Sequence, residues 1–384
     1  MKQLLLLLLL ISATSWSATE RDYLLVIASQ RNAEVIADGA RLFYEGHPER
    51  QELLIQARSD VQFWELTAAQ RSELVAGSRG VLGFGLYGSS VANLVSLLEQ
   101  SNKTQLLINS DHRLVAASQF SGKKLFPDMA QLREITKALP GENFEQVVAQ
   151  QAEHYPQQLP WLIARAYWAA GGSFNTAELY AWLFNSMGEN IVAAQPTPTK
   201  QLRWFFDGSI HNQLDNFKVP KSQQNSIIAV IDHAGGSRPA DAKLLHDFCQ
   251  QAEKSYSLRC LGALAYWGEA GVTAAEKLLP FKDRLAAVVM LQDFVIGGGE
   301  GRESVTVTLD QLDVPVIKAI KLRDRTAIER QLSSDGLAQE KVYYQVAMPE
   351  LQGASQPLVI ATAGAMGNDS ITGIRIQAVA PESS

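Results

Sequence analysis

The sequence predicts an α/β protein with two doubly wound domains, Rossmann-like or flavodoxin-like, and a helical segment between them. Three observations support this fold class. Short apolar, β-rich runs alternate with helix-like runs, the alternation occurs twice, and a stretch of helical runs separates the two series. Regular β-α alternation is typical of a parallel sheet covered by helices on both faces. The length of 384 residues also exceeds what one hydrophobic core usually covers.

The first element, residues 1–18, is expected to be a signal peptide. Lys2 gives a positive start, residues 4–11 form an apolar run, and small residues near 15–18 suit cleavage. This run is too short to span a bilayer, and no later stretch approaches the roughly 18 apolar residues required. We therefore expect a periplasmic or secreted protein with no stable membrane span. A membrane tether formed by an uncleaved segment is the alternative.

Residues 19–195 are predicted to form the N-terminal α/β domain with a helical extension. Helical periodicity dominates the extension from 128 to 188. Its aromatic residues are expected to be core, with a platform for a flat ring as the alternative. These aromatic residues are Trp161, Tyr167, Trp168, Tyr180, Trp182 and Phe184. The strand-like runs of this domain are 22–29, 51–59 and 104–111, and the helix-like runs between them include 32–46 and 64–77.

A glycine-rich turn in this domain has the G-x-G-x-x-G spacing of a dinucleotide-binding fingerprint, with Gly83, Gly85 and Gly88. The turn follows the third predicted strand instead of the first, and the nearest acid at a strand end, Asp111, lies 28 residues after Gly83. We therefore expect a structural turn and no nucleotide. An anionic ligand at the N-terminus of the following helix remains an alternative.

Residues 196–222 are predicted to be a polar, proline-containing linker, and residues 223–384 a second α/β domain. Its strand-like runs are 226–232, 258–267, 285–297 and 314–322, and its helix-like runs include 239–254 and 272–279. The net charge is −6 and no basic run stands out, so nucleic acid is not an expected partner.

Candidate ligand-binding residues lie in the second domain. Asp232 and His233 end a predicted strand, the edge at which α/β sheets bind ligands, although a plain surface-loop histidine is the alternative. His246 and Cys249 share one helix face but lack a second pair to complete a metal site. Cys249 and Cys260 form either a disulfide or two buried thiols.

Four sequence motifs from about residue 160 onward carry a resemblance to a known family. They are "GGSFN", "FDGSIHNQ", "LDQLDVPV" and "DGLAQEKVYYQVAMPELQG". Together they are similar to the large, tetrapyrrole-binding subunit family of the cobalt chelatases and magnesium chelatases. Asn212 and Gln352 depart from the family pattern, which has Pro and Asp there. The matching residues are Gly171, Gly172, Asn175, Gly208, His211, Pro315, Pro349, Glu350 and Gly353.

The resemblance implies that the ligand is a tetrapyrrole, either a corrinoid such as cobalamin or a haem, or its metal, such as cobalt. It also implies a chelatase-type partner chain. The family subunit is much longer, and its metal-insertion residues are expected after the matched segment. We therefore expect an exported, catalytically incomplete relative that is no enzyme on its own. The alternatives are the head portion of a chelatase or dechelatase completed by another chain, and a two-lobed periplasmic solute-binding protein.

A ligand is expected at the C-terminal ends of the strands in both domains. These ends carry Gly85 to Ser89 in the first domain and His233 to Ser237 in the second. His211 lies in the predicted linker and is expected to face a cleft between the domains. Imidazole from His211 or His233 is the candidate ligand for a metal at the centre of the macrocycle, and a turn cap and a solvated side chain are the alternatives.

Overall fold

The structure is a computed structural model that describes 23–88, 91–126, 144–218, 226–233, 239–266, 268–334 and 339–382, and also residues 128, 130, 132, 135, 336 and 337. The predicted signal peptide, Ser89, residues 219–222 of the predicted linker, and residues 223–225 and 234–238 of the predicted second domain lie outside the described residues. Among the described residues, no helix is both long enough and apolar enough to cross a membrane.

The first sheet contains six strands in the order β2-β1-β3-β4-β5-β6. The first four are parallel, and their order, 2-1-3-4, is that of a flavodoxin-like sheet. The last two are short and antiparallel. The strands are β1 (Tyr23–Ala28), β2 (Leu54–Ser59), β3 (Ser78–Phe84), β4 (Thr104–Ile108), β5 (Gln119–Phe120) and β6 (Lys123–Lys124).

Several α-helices accompany this sheet. The later helices form the predicted extension, and three of the predicted aromatic residues are core: Trp161, Tyr180 and Phe184 are at most 1% exposed. Trp161 Nε1 donates to Leu107 O at 2.9 Å, which fixes the extension to β4. The helices are α1 (Ala33–Gly46), α2 (Asp60–Glu65), α3 (Ala68–Ala76), α4 (Val91–Leu98), α5 (His112–Ala116), α6 (Phe144–His154), α7 (Leu159–Ala170) and α8 (Gly172–Ser186).

The second sheet contains eight strands in the order β14-β13-β12-β11-β9-β10-β7-β8. The five strands β10, β9, β11, β12 and β13 are parallel. If β9 is counted as the first strand of this series, their order across the sheet is 2-1-3-4-5, which is again that of a flavodoxin-like sheet. The predicted α/β fold class is therefore confirmed. The strands are β7 (Leu202–Phe206), β8 (Ser209–His211), β9 (Ile227–His233), β10 (Arg259–Ala265), β11 (Leu285–Met290), β12 (Val316–Leu322), β13 (Ala354–Asn368) and β14 (Arg375–Pro381).

Helices cover this second sheet, and a π-helical turn interrupts the last of them. The π-helical turn spans Tyr343–Ala347. The helices are α9 (Pro239–Tyr256), α10 (Glu269–Glu276), α11 (Gly298–Leu312), α12 (Ala327–Leu332), α13 (Gln339–Val342) and α14 (Met348–Glu350).

Strands β7 and β8 lie inside the segment that the sequence predicts as a linker. Trp204, Phe205 and Phe206 are at most 6% exposed because β7 adds an antiparallel strand to β10 and buries them against the sheet. The polar stretches on both sides of this short hairpin hide it in the sequence. The domain boundaries themselves stay a prediction.

The hairpin between β13 and β14 reaches across to the first sheet. Its tip residue Thr372 accepts a hydrogen bond from Ala57 N at 2.9 Å, and Ile374 is fully buried in the core of the first sheet. Separately, Glu34 in the first turn of α1 accepts from Ala240 N, near the start of α9, at 3.1 Å. Because α1 and α9 follow β1 and β9, this bond places the C-terminal edges of the two sheets side by side.

Candidate functional site

A buried ion pair lies at the C-terminal edge of the second sheet. Both carboxylate oxygens of Asp232 accept from Lys321 Nζ, at 2.7 and 2.8 Å. The two side chains are only 5% and 4% exposed. Asp232 is the next-to-last residue of β9 and Lys321 the next-to-last of β12, so the fold itself brings these distant residues together. The sequence predicts Asp232 as a ligand-binding residue. In the structure both of its carboxylate oxygens bind Lys321.

The ion pair continues into a wider polar network. The Arg323 guanidinium donates to both carboxylate oxygens of Asp241 at 2.7 Å, and its Nε lies 3.9 Å from Asp293 Oδ2. Burial acts to raise the pKa of Asp293, but the cations of Lys321 and Arg323, together with the Gln345 hydrogen bond and Lys318, hold that pKa below its usual range. Arg323 and Asp293 are the most exposed members of the network, with 22% and 39% exposed side chains.

Lys318 adds a second buried cation on β12. It is 1% exposed, and its Nζ donates to Gln292 O and, at 3.5 Å, to Met290 O. Burial lowers its pKa to about 8, although the charge of Asp293 acts in the opposite direction. Lys318 therefore fastens the backbone after β11 at this edge of the sheet.

Aromatic rings border the polar network. Phe294 and Tyr344 have ring centroids 5.5 Å apart, and those of Tyr343 and Tyr344 are 5.0 Å apart. Tyr343 and Tyr344 are 53% and 48% exposed. Both lie on the π-helical turn, and the next residue, buried Gln345, donates to Asp293 Oδ1 at 3.0 Å. π-Helical turns are rare and frequent at functional sites.

The sequence patterns did not point to this tyrosine pair. The two residues lie within the quoted motif "DGLAQEKVYYQVAMPELQG", in which the glycine, proline and glutamate positions are the ones that match the family pattern. The adjacent tyrosines were the available signal, because consecutive large aromatic residues in a helix cannot share one buried face.

His233 lies at the same edge as the network, as the sequence predicts. Its backbone N–H donates to Asp232 Oδ1 at 2.7 Å, and its ring lies 5.2 Å from that of Tyr266, which is 46% exposed. The glycines that follow His233 lie outside the described residues. His233 and Tyr266 extend the aromatic border to the ends of β9 and β10.

His211 lies elsewhere. Its ring stacks on Phe206 at 3.9 Å, and its Nε2 is 3.3 Å from Phe206 O. It belongs to β8, three strand spacings from β9 or about 14 Å. The structure therefore does not bring His211 and His233 together. The adjoining Asp207 and Gly208 have φ values of 50° and 72°, as a tight hairpin turn between β7 and β8 requires.

The glycine-rich turn of the first sheet is closely bonded to its surroundings. A Cβ on Gly83 would collide with Leu107, and one on Gly85, where φ is +63°, would lie 3.0 Å from Ser29 Oγ. Ser110 Oγ accepts from Leu86 N at 3.1 Å. Gly88 has φ +104° and faces open space. These contacts fit a packed strand-to-helix turn.

Asp111, considered as the acid of a dinucleotide site, has another role. Its side chain accepts from the backbone N–H of Arg113 at the start of α5 and from the Arg113 guanidinium, each at 2.9 Å. These bonds lower the pKa of Asp111 to about 2. It therefore caps a helix.

The family-like "GGSFN" motif builds the junction between α7 and α8. Gly171 and Gly172 have φ values of 73° and 82°, which favour glycine. Asn175 Nδ2 donates to Gly171 O at 2.6 Å and to Thr197 O at 2.9 Å, and its Oδ1 accepts from Thr197 N at 2.8 Å. The motif thus holds the extended chain after α8 against the helix junction.

The later motif residues shape the entries to β12 and β13. Pro315 O accepts from Val288 N at 2.9 Å, and Gly353 N donates to Glu350 O at 3.0 Å in a turn in which Gly353 has φ +79°. Pro349, which precedes this turn, is buried. These contacts are structural, and they set where the two strands begin.

Gln352 stands where the family pattern has Asp, and its side chain is 1% exposed. The side-chain amide makes two hydrogen bonds to the backbone of Ile296. Its Oε1 accepts from Ile296 N at 2.8 Å and its Nε2 donates to Ile296 O at 2.9 Å. A carboxylate can only accept, so the amide suits this clamp. Gln352 also lines a cavity of about 410 Å³ beside Asp313, Pro315 and Gly353, at the opposite, N-terminal ends of β12 and β13.

Cys249 and Cys260 form a disulfide that joins α9 to β10, with a Cα–Cα distance of 5.2 Å. Within the described ranges, no group of three or more His, Cys, Asp or Glu side chains is arranged to hold a metal ion.

Comparisons with known proteins agree on one family. The family model described as CobN/Magnesium Chelatase matches residues 165–382. The magnesium-chelatase subunit ChlH, chloroplastic, of Oryza sativa subsp. indica is 40% identical over 90 residues, or 23% of this chain and 6% of that protein, and its counterpart in Oryza sativa subsp. japonica gives the same values.

Among solved structures, the catalytic subunit of cobaltochelatase from Mycobacterium tuberculosis matches with a TM-score of 0.53 and 16% identity, over 94% of this chain and 26% of that one. This likeness concerns the fold. The chain thus spans about a quarter of the length of the solved protein and a small part of the curated relatives. A glucose-galactose binding protein from Geobacillus stearothermophilus matches with a TM-score of only 0.21 and 11% identity, over 88% of this chain and 94% of that one, too low to support an argument.

Proposed function

The chain belongs to the CobN/magnesium chelatase family, and from that premise we propose that it binds a tetrapyrrole at the C-terminal edge of its second sheet. The observation that carries the proposal is the exposed pair Tyr343 and Tyr344, which the contacts of Gln345 and Asp293 link to the partly exposed cation of Arg323. A flat macrocycle needs a mostly apolar contact surface and few polar anchors. Tyrosine rings supply such a surface, and a guanidinium is well suited to the carboxylates that tetrapyrroles carry.

The position of these residues in the fold supports the proposal. Ligands of doubly wound sheets bind outside the carboxyl ends of the strands, where the strand order reverses. In the second sheet that reversal lies between β9 and β11, next to Asp232 and Asp293. The contact between Glu34 and Ala240 also brings the corresponding edge of the first sheet alongside. A large ligand can then use both sheets.

We propose His233 as the imidazole for a metal at the centre of the macrocycle. It is the predicted histidine that lies at this edge, beside exposed Tyr266. His211 is stacked on Phe206. It lies on β8, three strand spacings or about 14 Å from β9, the strand of His233. Replacing His233 with Ala should therefore weaken haem binding, whereas His211→Ala serves as the matched control.

The experiment is a titration of the purified chain with haem, cobalamin and a metal-free porphyrin, followed by the absorbance shift of each ligand. We expect saturable one-to-one binding of at least one of them. His233→Ala should weaken binding of the metal-containing ligand by about tenfold, or roughly 1.4 kcal/mol, and should leave the metal-free porphyrin unaffected. Absence of saturable binding by all three ligands would refute the proposed function. Equal effects of His233→Ala and His211→Ala would refute the assignment of the imidazole.

We further propose that the protein is exported and that its signal peptide is cleaved. The Cys249–Cys260 disulfide supports this, because disulfides persist in oxidising compartments and are rare in the cytosol. Expression of the full chain in a Gram-negative host, followed by fractionation and N-terminal sequencing, tests it. Recovery in the cytoplasm with Met1 intact would contradict export.

A second candidate function is that of a chelatase portion that works with another chain. The observation that favours it is that this chain spans 26% of the cobaltochelatase catalytic subunit. We propose that the chain alone does not insert metal. Incubation with Co²⁺, ATP and a metal-free corrin precursor should give no cobalt corrin, and product formation by the single chain would overturn this proposal.

A further inference from the structure

Four potential metal ligands surround one small cavity beside the disulfide. His246, Cys249 and Glu253 lie on α9 at spacing i, i+3, i+7, which places them on one helix face. Cys260 faces them from β10, and its backbone N–H donates to Glu253 Oε1 at 3.5 Å. All four residues line a cavity of about 110 Å³. A water molecule occupies about 30 Å³ of liquid volume, so the cavity has room for an ion.

The disulfide keeps this cluster from acting as a metal site. The sulfurs of Cys249 and Cys260 are bonded to each other, so neither is a thiolate, which is the form that binds metals. His246 and Glu253 then remain as the only strong ligands of the four. This agrees with the finding that no group of three ligands is available among the described residues.

We propose that reduction of the disulfide opens a site for Zn²⁺ or Co²⁺ formed by His246, Cys249, Cys260 and Glu253. A dithiol reductant would cleave the Cys249–Cys260 bond, leave as its own disulfide, and transfer one proton to each protein sulfur. Metal binding then displaces both protons and gives two thiolate ligands. The inference is independent of tetrapyrrole binding.

The geometry suits a tetrahedral ion with sulfur and nitrogen ligands. With Zn–S bonds of about 2.3 Å, two thiolates on a tetrahedral ion lie about 3.8 Å apart. The Cα atoms are already 5.2 Å apart, so the sulfurs can separate by side-chain rotation around the adjoining cavity. Two thiolates with one imidazole select Zn²⁺ and ions of similar softness over Mg²⁺ or Ca²⁺.

The exposure of the ligands gives the ion a route into the site. The cysteines are 4% and 1% exposed, which shields the sulfurs, whereas the His246 side chain is 44% exposed. His246 therefore lies at the mouth of the cavity, where an ion arrives from solvent. Its ring packs edge-on against Phe205 at 6.2 Å, which limits its movement.

The test compares the bridged and the reduced full chain. The protein is reduced with a dithiol, freed of reductant without oxygen, and titrated with Co²⁺, whose visible spectrum reports tetrahedral thiolate ligation. We expect one Co²⁺ per reduced chain with a thiolate-to-cobalt band, displacement of Co²⁺ by Zn²⁺, and no such band for the bridged chain. The far-ultraviolet circular dichroism should be the same in both forms.

His246→Gln is the decisive variant because it keeps both cysteines and the disulfide. It should weaken Co²⁺ binding to the reduced chain at least tenfold, whereas His112→Gln, at an exposed histidine of the first domain, should leave it unchanged. Cys249→Ser together with Cys260→Ser should abolish the thiolate band.

Four results would overturn the proposal. They are no stoichiometric binding by the reduced chain, equal binding by His246→Gln and the wild type, a thiolate band in the cysteine-free variant, and loss of the fold on reduction.

Discussion

Replacing Asp232 with Ala should destabilise the second sheet far more than an ordinary loss of a surface charge. The change removes the carboxylate that accepts two bonds from Lys321 and leaves this lysine, 4% exposed, buried with only more distant carboxylates, such as Asp241 at 4.0 Å. At 2.7 Å and an effective dielectric constant of about 20, the lost attraction is about 6 kcal/mol. Desolvation of both charges offsets part of this, so we expect a net loss of about 3–5 kcal/mol.

The assay is urea unfolding at pH 7 followed by circular dichroism. Asp247→Ala provides the control, because Asp247 pairs with Lys243 in an exposed i, i+4 arrangement that should contribute less than about 1 kcal/mol. Combining Asp232→Leu with Lys321→Met removes both charges and should recover most of the stability lost in Asp232→Ala. The reasoning is refuted if Asp232→Ala costs no more than Asp247→Ala, or if the double variant is less stable than the single variant.

Three further predictions concern the supporting structure. Asn175→Ala should lower the free energy of unfolding by about 1–3 kcal/mol, because the hydrogen bonds to Thr197 are lost. The melting temperature should fall accordingly, and an unchanged melting temperature would contradict this prediction. Reducing the Cys249–Cys260 bridge should lower the free energy of unfolding by about 3 kcal/mol, as measured in urea with and without reductant, and no change would contradict it. Lys318 has a pKa of about 8 in the folded chain and 10.5 in the unfolded chain. Below pH 8 its charge therefore lowers the free energy of unfolding, by about 3 kcal/mol. This penalty disappears as the pH rises from 8 to 10.5. The free energy of unfolding of Lys318→Met should therefore exceed that of the wild type by the largest margin at pH 7. A constant difference between the two proteins from pH 7 to 10.5 would contradict this prediction.

The sequence predicts the alternating parts of the fold well because their side-chain patterns are local. The runs that become β1, β2 and β4 are apolar and bounded by helix-like segments, and each strand lies within its predicted range. β7 was missed because its three buried aromatic residues occur between polar stretches. The predicted strand 285–297 ends at Met290, since the chain then turns to pack Val295 and Ile296 against the core.

The candidate site could be predicted only in part. Asp232 and His233 were located at the correct strand end because that follows from the β-α alternation. The partners of Asp232 could not be found in the same way, because lysines that alternate with apolar residues in a strand usually face solvent. Lys318 and Lys321 are buried because β12 is a central strand covered on both faces, which only the strand order reveals.

The position of the aromatic border also depends on long-range contacts. Tyr344 meets Phe294, fifty residues earlier in the chain, only because the loop after β11 and the segment before β13 meet at one edge of the sheet. The π-helical turn that presents the two tyrosines has no distinct sequence signature.

The most direct test of tetrapyrrole binding at this edge compares two tyrosine variants in a titration with metal-free porphyrin. Tyr343→Ala combined with Tyr344→Ala removes the exposed ring pair, and Tyr256→Ala removes a 72% exposed tyrosine at the end of α9. We predict that the double variant binds the porphyrin at least tenfold more weakly than the wild type, a loss of about 1.4 kcal/mol or more, and that Tyr256→Ala binds as the wild type does. Porphyrin binding of equal strength in the double variant and the wild type would contradict the site.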